Sequence, residues 1–155
     1  MYRVPQLNPG APWDPRKSLL MGLLVTAASA GSAAEVVVRV SGPSEPLGQV
    51  GCSLFAGATG FPMGSTSARN LWLPADAEGV TCRFNDVPEG TYAVSIGHDL
   101  NGNKRVDTNF IGLPTEQWGV SNNARPTLQA PRFEEASFKV AADAKDVVID
   151  IKVAK

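Results

Sequence analysis

The sequence contains few of the residues that build metal centres and catalytic sites. Its 155 residues include one histidine, His98, and two cysteines, Cys52 and Cys82. Two cysteines and one distant histidine are too few ligands for a structural zinc site, which normally has four. Neither the G-x-S-x-G sequence of α/β-hydrolases nor the H-E-x-x-H sequence of zinc proteases occurs. These absences argue against a zinc site and against the common hydrolase classes.

Basic clusters and long apolar runs are also scarce. Residues 31–155 hold 11 basic and 14 acidic residues, a formal net charge of −3, and the basic ones are not clustered. That distribution argues against a nucleic-acid-binding surface. No apolar run of membrane length occurs after residue 30, so we expect no membrane span in the mature protein.

One short apolar run does occur near the beginning of the chain. Residues 18–28 carry no charge, follow Arg16 and Lys17, and lead into a stretch of small residues that contains Ala28-Ser29-Ala30. A basic segment, a short apolar segment and an A-x-A exit are typical of a secretory signal peptide. We therefore predict that residues 1–30 are a signal peptide with a proline-rich n-region and that the protein is periplasmic or secreted. An uncleaved membrane anchor is the alternative.

Short segments of alternating apolar and polar residues predict one all-β domain over residues 35–155. The predicted strands are 35–40, 49–55, 80–85, 91–97, 136–141 and 147–153. The strands at 80–85 and 91–97 are expected to pair as a β-hairpin around the turn at 86–90. Residues 65–73 are expected to hold a helical turn, and Phe61 and Trp72 to cover one end of the core. Six or seven short strands with Gly/Pro turns indicate a β-sandwich.

The two cysteines lie at inward-facing positions of their predicted strands. Cys52 is flanked by Val50 and Leu54 in the alternating pattern, and Cys82 by Val80 and Phe84. An even cysteine count in an exported chain favours a disulfide, because that compartment is oxidising. The alternative is a pair of buried free thiols that behave as small apolar residues.

A polar loop follows the strand at 91–97 and has the spacing of a cation site. The candidate ligands are oxygen atoms at loop positions 1, 3, 5, 7 and 9: Asp99, Asn101, Asn103, the backbone carbonyl of Arg105, and Asp107. Such oxygens suit calcium, the only cofactor that the sequence suggests. Lys104 and Phe110 stand where an EF-hand needs Gly and Glu, which excludes that motif. The alternative is a metal-free turn held by Asx hydrogen bonds.

Two segments, CRFNDVPEGTYAV (82–94) and HDLNGNKRVDTNFIGLPTEQWGVSNNA (98–124), give the chain a family resemblance. From about Val36 to Val153 it resembles the bacterial DUF2141 family. The resemblance implies an exported β-sandwich, and F-x-x-V-P-x-G-x-Y is similar to the turn of transthyretin-like modules. An immunoglobulin-like or transthyretin-like sandwich is therefore expected, but no established activity, substrate or ligand is implied. Carried over by position, the marked residues are His98, Asp99, Asn101, Asn103, Asp107, Asn109, Gly112, Pro114, Glu116, Gly119, Ser121, Asn122 and Asn123. Lys104 departs from the family pattern, which more usually has Gly there.

The first functional hypothesis is an exported, non-catalytic domain that binds a protein or a small molecule, with calcium as a stabilising ion. Its candidate binding surface comprises His98, Asn109, Glu116, Trp118, Ser121, Asn122 and Asn123. The physiological partner is not identified by any of these residues.

Two alternative hypotheses remain. A hydrolase would use His98 with Asp99, Asp107 or Glu116 as acid and base. Against it, adjacent strand residues such as His98 and Asp99 point to opposite faces. A protein–protein interaction module would expose Trp118 and Phe110 as interface anchors, although the same side chains would also serve as lids on a small core.

Overall fold

The alternating segments form eight strands in two sheets, described by a computed structural model over residues 33–127 and 129–155. The predicted signal peptide lies outside the described residues. The strands are β1 Ala34–Ser41, β2 Gln49–Phe55, β3 Ala68–Pro74, β4 Val80–Val87, β5 Gly90–Asp99, β6 Trp118–Val120, β7 Phe138–Val140 and β8 Asp146–Lys152. One short helix, α1 Phe133–Ala136, and two 3-10 turns, Ser65–Ser67 and Ser121–Asn123, complete the elements. The predicted all-β sandwich is confirmed, with one strand more than the upper expectation of seven.

Two sheets of unequal size make the sandwich. The smaller sheet has the order β4-β1-β8, in which β1 runs antiparallel to β4 and parallel to β8. The larger sheet has the order β3-β2-β5-β6 and is antiparallel throughout, with β7 pairing the first residues of β5. The first strand, β1, and the last, β8, are neighbours in the small sheet. That sheet is therefore complete only after the C-terminal strand has paired with β1.

Aliphatic side chains from both sheets fill the space between them. Val36 and Val38 of β1 and Val50 and Val94 of the larger sheet are 0% exposed. Full burial of one such side chain contributes about 1.5–3 kcal/mol. Alternation along each strand therefore sends one set of side chains into the core and leaves the other set on the outer faces.

The predicted disulfide is confirmed and joins the two sheets. Cys52 on β2 and Cys82 on β4 are bonded across the core, with a Cα–Cα distance of 6.5 Å. Both residues are 0% exposed. The bond fixes the larger sheet against the smaller one near the middle of the sandwich.

The expected hairpin between β4 and β5 is wrong, because these strands belong to different sheets. β4 pairs with β1, and β5 pairs with β2. The intervening turn crosses from one sheet to the other, and Tyr92 Oη donates a hydrogen bond to the Pro88 carbonyl within it. Both strands have a mostly apolar inward face, and in the two sheets these faces pack across the core.

Residues 65–73 also differ from the expectation. Only Ser65–Ser67 forms a helical turn, and strand β3 begins at Ala68. Neither Trp72 nor Phe61 packs against the core between the sheets, but Phe61 packs against a second, smaller apolar cluster of Ala93, Val120 and Ala136. Trp72 lies on the outer face of the larger sheet, and Phe61 packs there against Phe55, with ring centroids 5.2 Å apart. The alternation of apolar and polar residues that indicates a strand is interrupted in β3, because Trp72 on the outer face is also apolar.

Within residues 33–127 and 129–155, no helix has the length and apolar character of a membrane span. The only α-helix in those ranges is α1, which has four residues.

Replacing both cysteines by alanine is expected to lower the free energy of unfolding by about 2–4 kcal/mol, because the disulfide closes a loop of 30 residues. Guanidinium unfolding of the oxidised protein and of the double variant measures this difference. The control is reductant, which should destabilise the wild type and leave the variant unchanged. An equal midpoint for both proteins would contradict the account.

Candidate functional site

Asp99 organises the polar loop at the end of β5. Its side chain is 1% exposed, and its Oδ1 accepts hydrogen bonds from the backbone N–H groups of Asn101, Gly102 and Asn103, at 3.2, 2.7 and 3.2 Å. Its Oδ2 accepts a fourth, from Lys104 N–H, at 2.7 Å. Hydrogen bonds to a charged group are worth about 1.5–3 kcal/mol each. The chain thus turns around the Asp99 carboxylate. We name residues 99–107 the Asp99 loop.

Asp107 closes the loop from the other side. Its carboxylate oxygens accept hydrogen bonds from Asn101 Nδ2 and Asn103 Nδ2, at 2.6 and 2.8 Å. Arg105 Nε lies 3.4 Å from Asp107 Oδ1. The hydrogen bond from Asn103 is the main cause that lowers the pKa of Asp107 below its ordinary value of 3.8; partial burial opposes it, and Asn101 and Arg105 add to it. The loop therefore favours the charged form of this carboxyl group.

Glu116 ties both ends of the Asp99 loop to the strand that follows. It is 5% exposed. Its Oε1 accepts a hydrogen bond from Leu100 N–H and its Oε2 accepts one from Asp107 N–H, each at 2.9 Å. Leu100 and Asp107 are the points where the chain leaves and rejoins the base of the loop. The Glu116 side chain therefore fixes the distance between Leu100 and Asp107.

The predicted calcium ligands come together, but in a hydrogen-bonded arrangement that needs no cation. All six carboxylate oxygens of Asp99, Asp107 and Glu116 already accept at least one N–H. The side-chain oxygens of Asn101 and Asn103 accept backbone N–H groups as well. An oxygen that accepts one N–H group keeps a second lone pair, so these hydrogen bonds do not by themselves exclude calcium. They are the bonds that the metal-free alternative requires, and the calcium assignment stays a prediction.

His98 is placed unfavourably for the hydrolase hypothesis. The side chain is 0% exposed. Its Nε2 lies 2.8 Å from the Leu47 carbonyl oxygen, and its Nδ1 lies 3.2 Å from Gln117 Oε1. A carbonyl oxygen only accepts hydrogen bonds, so Nε2 is used as a donor. In this conformation His98 fastens the connection between β1 and β2, and has no exposed nitrogen with which to serve as a base.

Other residues of the predicted binding surface hold backbone segments in place. Ser121 is 0% exposed, and its Oγ accepts a hydrogen bond from Val94 N–H. Asn122 Nδ2 donates to the carbonyls of Glu135 and Ser137. Burial removes His98, Glu116 and Ser121 from any contact surface in this conformation.

Asn109 and Asn123 have the same structural use as these residues. Asn109 Oδ1 accepts hydrogen bonds from Ile111 and Leu113 N–H. Asn123 Oδ1 accepts one from Lys152 N–H at the edge strand β8. Trp118, also a member of the predicted surface, lines a cavity.

That cavity lies on the outer face of the larger sheet, over a row of four paired residues. The register aligns Trp72 of β3, Gly51 of β2, Gly97 of β5 and Trp118 of β6. A Cβ atom added at Gly51 would lie 2.6 Å from the Trp72 ring. Only glycine permits such a close approach. The absence of a side chain at Gly51 therefore leaves room for the Trp72 ring, which lies over it.

The neighbouring row continues this floor with small side chains. Ser53 and Ser95 lie opposite one another on β2 and β5, and Val120 lies opposite Ser95 on β6. Val106 of the Asp99 loop reaches over Gly97, where an added Cβ would be 2.6 Å from its Cγ2. The resulting groove has a volume of about 440 Å³.

Loops make the sides of the groove. The segment from Lys104 to Pro114 lies along one side, and Pro126, Thr127 and residues 129–131 lie along another. Arg125 holds Trp118 in position, since its guanidinium carbon is 4.7 Å from the centre of the indole ring. The groove is thus defined by the sheet register and by a loop that Asp99 fixes.

Phe110 marks the tip of the excursion that follows the Asp99 loop. Its side chain is 98% exposed, so the alternative that it is a lid on the core is wrong. Ile111 and Leu113 beside it are 64% and 51% exposed and line the groove. Trp118 is half-buried on the sheet and faces the groove.

One protein-family model matches most of the chain. The family model described as "Uncharacterized protein conserved in bacteria (DUF2141)" matches residues 38–148. The chain belongs to the DUF2141 family. The match extends from β1 into β8 and includes both the Asp99 loop and the groove. No curated protein and no solved structure matches the chain.

The residues missed by sequence reasoning are those of the groove floor. Gly51 and Gly97 interrupt the outward-facing positions of otherwise well-patterned strands. Glycine inside a strand often marks the close approach of another group, and that signal was available. Which two glycines would become neighbours depended on the strand register, which the local pattern does not specify.

The metal-free alternative predicts that calcium leaves the thermal unfolding midpoint unchanged relative to EDTA, because hydrogen bonds within the loop already hold it together. Differential scanning calorimetry of the wild type and of Asp99→Ala measures this. A calcium-dependent rise that Asp99→Ala abolishes would instead establish the ligand set Asp99, Asn101, Asn103, Arg105 carbonyl and Asp107.

Asp107→Asn is expected to lower the unfolding midpoint at pH 7 by a few degrees, because an amide cannot accept both asparagine donors. A carboxyl group with a lowered pKa stabilises the fold above its unfolded pKa of about 3.9, and the contribution disappears as pH falls through the folded pKa. The difference between the two proteins should therefore shrink below about pH 4. Melts from pH 7 down to pH 3 test this, with Asp143→Asn, at an exposed turn, as control. A difference independent of pH would contradict it.

Proposed function

We propose that the protein is an exported, non-catalytic binding domain that holds a small ligand in the groove on the outer face of its larger sheet. The observation that carries this proposal is the groove itself, which is lined by Trp72, Val106 and Trp118 beside the paired glycines Gly51 and Gly97. Ligand sites are concave and mostly apolar, and their volumes are about 300–1,000 Å³. The groove volume of about 440 Å³ lies within that range.

The groove is pre-formed, which supports a binding role. The Asp99 loop is held by four backbone hydrogen bonds to one carboxylate, and Glu116 fixes its two ends. Trp118 is held by Arg125. A ligand that enters a rigid site loses less affinity to the ordering of side chains and loops. In this proposal the Asp99 loop supports the groove, whether or not calcium is bound.

A non-catalytic role is supported by the composition of the groove. Within the described residues, its lining contains no histidine, cysteine, aspartate or glutamate. General acid–base catalysis most often uses histidine or a carboxyl group within hydrogen-bonding distance of the substrate. His98, the only histidine in the chain, is buried against Leu47 and Gln117.

Export is supported by two independent features. The first is the basic, apolar and small-residue order of residues 16–30. The second is the disulfide between Cys52 and Cys82, which is compatible with an oxidising compartment.

An uncharged fluorescent probe, N-phenylnaphthylamine, is expected to bind saturably and to quench tryptophan emission, because Trp72 and Trp118 line the groove. Ser53→Trp fills the floor of the groove and should weaken binding about tenfold or more. The matched control is Thr81→Trp, which places the same side chain at an exposed position on β4 of the other sheet. Fluorescence titration gives the Kd values. Equal affinity for the Ser53→Trp protein and the wild type, or no saturable binding by the wild type, would contradict the proposal.

A further inference from the structure

We infer that the ligand of this groove is a small amphipathic organic anion, in which a carboxylate is attached to an apolar body. The inference rests on the proposed function and adds the chemical class of the ligand. It is drawn from the two charged side chains that line the groove, Lys104 and Arg105.

The charge of the groove is opposite in sign to that of the chain. The whole sequence has a formal net charge of −1, whereas both charged lining residues are basic, and no acidic residue among those described lines the groove. Two cations at the margin of an apolar cavity can each form an ion pair with an anion bound there. The same two charges would repel a cationic ligand.

None of the three neighbouring carboxylates, Asp99, Asp107 and Glu116, lines the groove. Asp99 and Glu116 are buried, and their oxygens accept backbone N–H groups. Asp107 forms one ion pair, with Arg105 Nε, and the Arg105 side chain is still 76% exposed. The Lys104 ammonium has no ion-pair partner among residues 33–127 and 129–155.

The backbone at Lys104 is in a conformation that lysine rarely adopts. Its φ is 58°, in the left-handed region, which costs a residue with a Cβ atom about 1–2 kcal/mol. The Lys104 N–H is bonded to Asp99 Oδ2, and this bond holds the strained residue in place. As a result, the Lys104 side chain lines the side of the groove. A glycine at this position would place no charge there.

Apolar surface surrounds the space beside these cations. Trp72 and Trp118 lie on opposite sides of the floor, and Ile111 and Leu113 are more than half exposed on the loop side. An apolar body in the groove would cover these surfaces, and apolar burial gives about 25 cal/mol per Å². A body the size of two fused aromatic rings suits the volume.

A nucleic acid is a poorer candidate for the same positive charge. Proteins that bind it through its phosphates neutralise several of them, with about 6–10 contacts in many cases. Two basic side chains beside a cavity fit one carboxylate better than a long polyanion.

Three probes that share one naphthalene body test the inference: naphthaleneacetate, the neutral naphthaleneacetamide and the cationic naphthylethylamine. Isothermal titration calorimetry of the full chain at low salt should rank their affinities in that order. Because exposed ion pairs contribute only modestly, the acid should bind about threefold to tenfold more tightly than the amide.

The Lys104→Gln/Arg105→Gln variant should bind acid and amide equally, with little change in its affinity for the amide. The matched control, Lys139→Gln/Lys152→Gln, removes two exposed charges from β7 and β8 outside the groove and should retain the preference for the acid. Loss of the preference in both variants would indicate a general charge effect and overturn the inference.

The outcomes separate the inference from the proposed function. If acid and amide bind the wild type equally, and Ser53→Trp blocks both, the groove binds ligands but the anion inference is wrong. If none of the three probes binds, both the inference and the proposed function fail. Sedimentation of the same samples tests whether a second copy of the chain occupies the groove. A dimer that Ser53→Trp dissociates would show that it does, and this result would also overturn the inference.

Discussion

The carboxylate of Asp99 is the group on which the candidate site depends. Four backbone N–H groups converge on its two oxygens at the end of β5, so the chain reverses around a buried charge. Removing that charge would take away the shared acceptor of four backbone N–H groups, and the turn would lose the hydrogen bonds that hold it. The position of Lys104, Arg105 and Val106 beside the larger sheet follows from this turn.

The larger sheet supplies the other half of the site through its register. Gly51 and Gly97 are 46 positions apart in sequence, yet antiparallel pairing of β2 and β5 places them side by side. A slip of one residue would put core side chains on the outer face, so the buried aliphatic residues indirectly fix the glycine pair. The disulfide at Cys52, next to Gly51, holds that strand against the other sheet. Core packing and groove shape are thus consequences of one strand arrangement.

Local patterns were sufficient to predict most of the fold and only part of the site. The bounds of β2 and the pairing of Cys52 with Cys82 followed from two-residue alternation and an even cysteine count. A polar loop with cation-site spacing could be predicted because its side chains come from one short segment: Asp99, Asn101, Asn103 and Asp107. The β4–β5 connection was misassigned because a Pro/Gly turn fits a hairpin and a crossing between sheets equally well. The groove could not be predicted, because it depends on which strands become neighbours.

A crystal structure of the protein with naphthaleneacetate would test the central claim most directly. The account predicts the naphthalene rings in the groove against Trp72 and Trp118, with the carboxylate within about 4 Å of the Lys104 or Arg105 nitrogens. Rings bound elsewhere, or a carboxylate turned away from both basic residues, would contradict it.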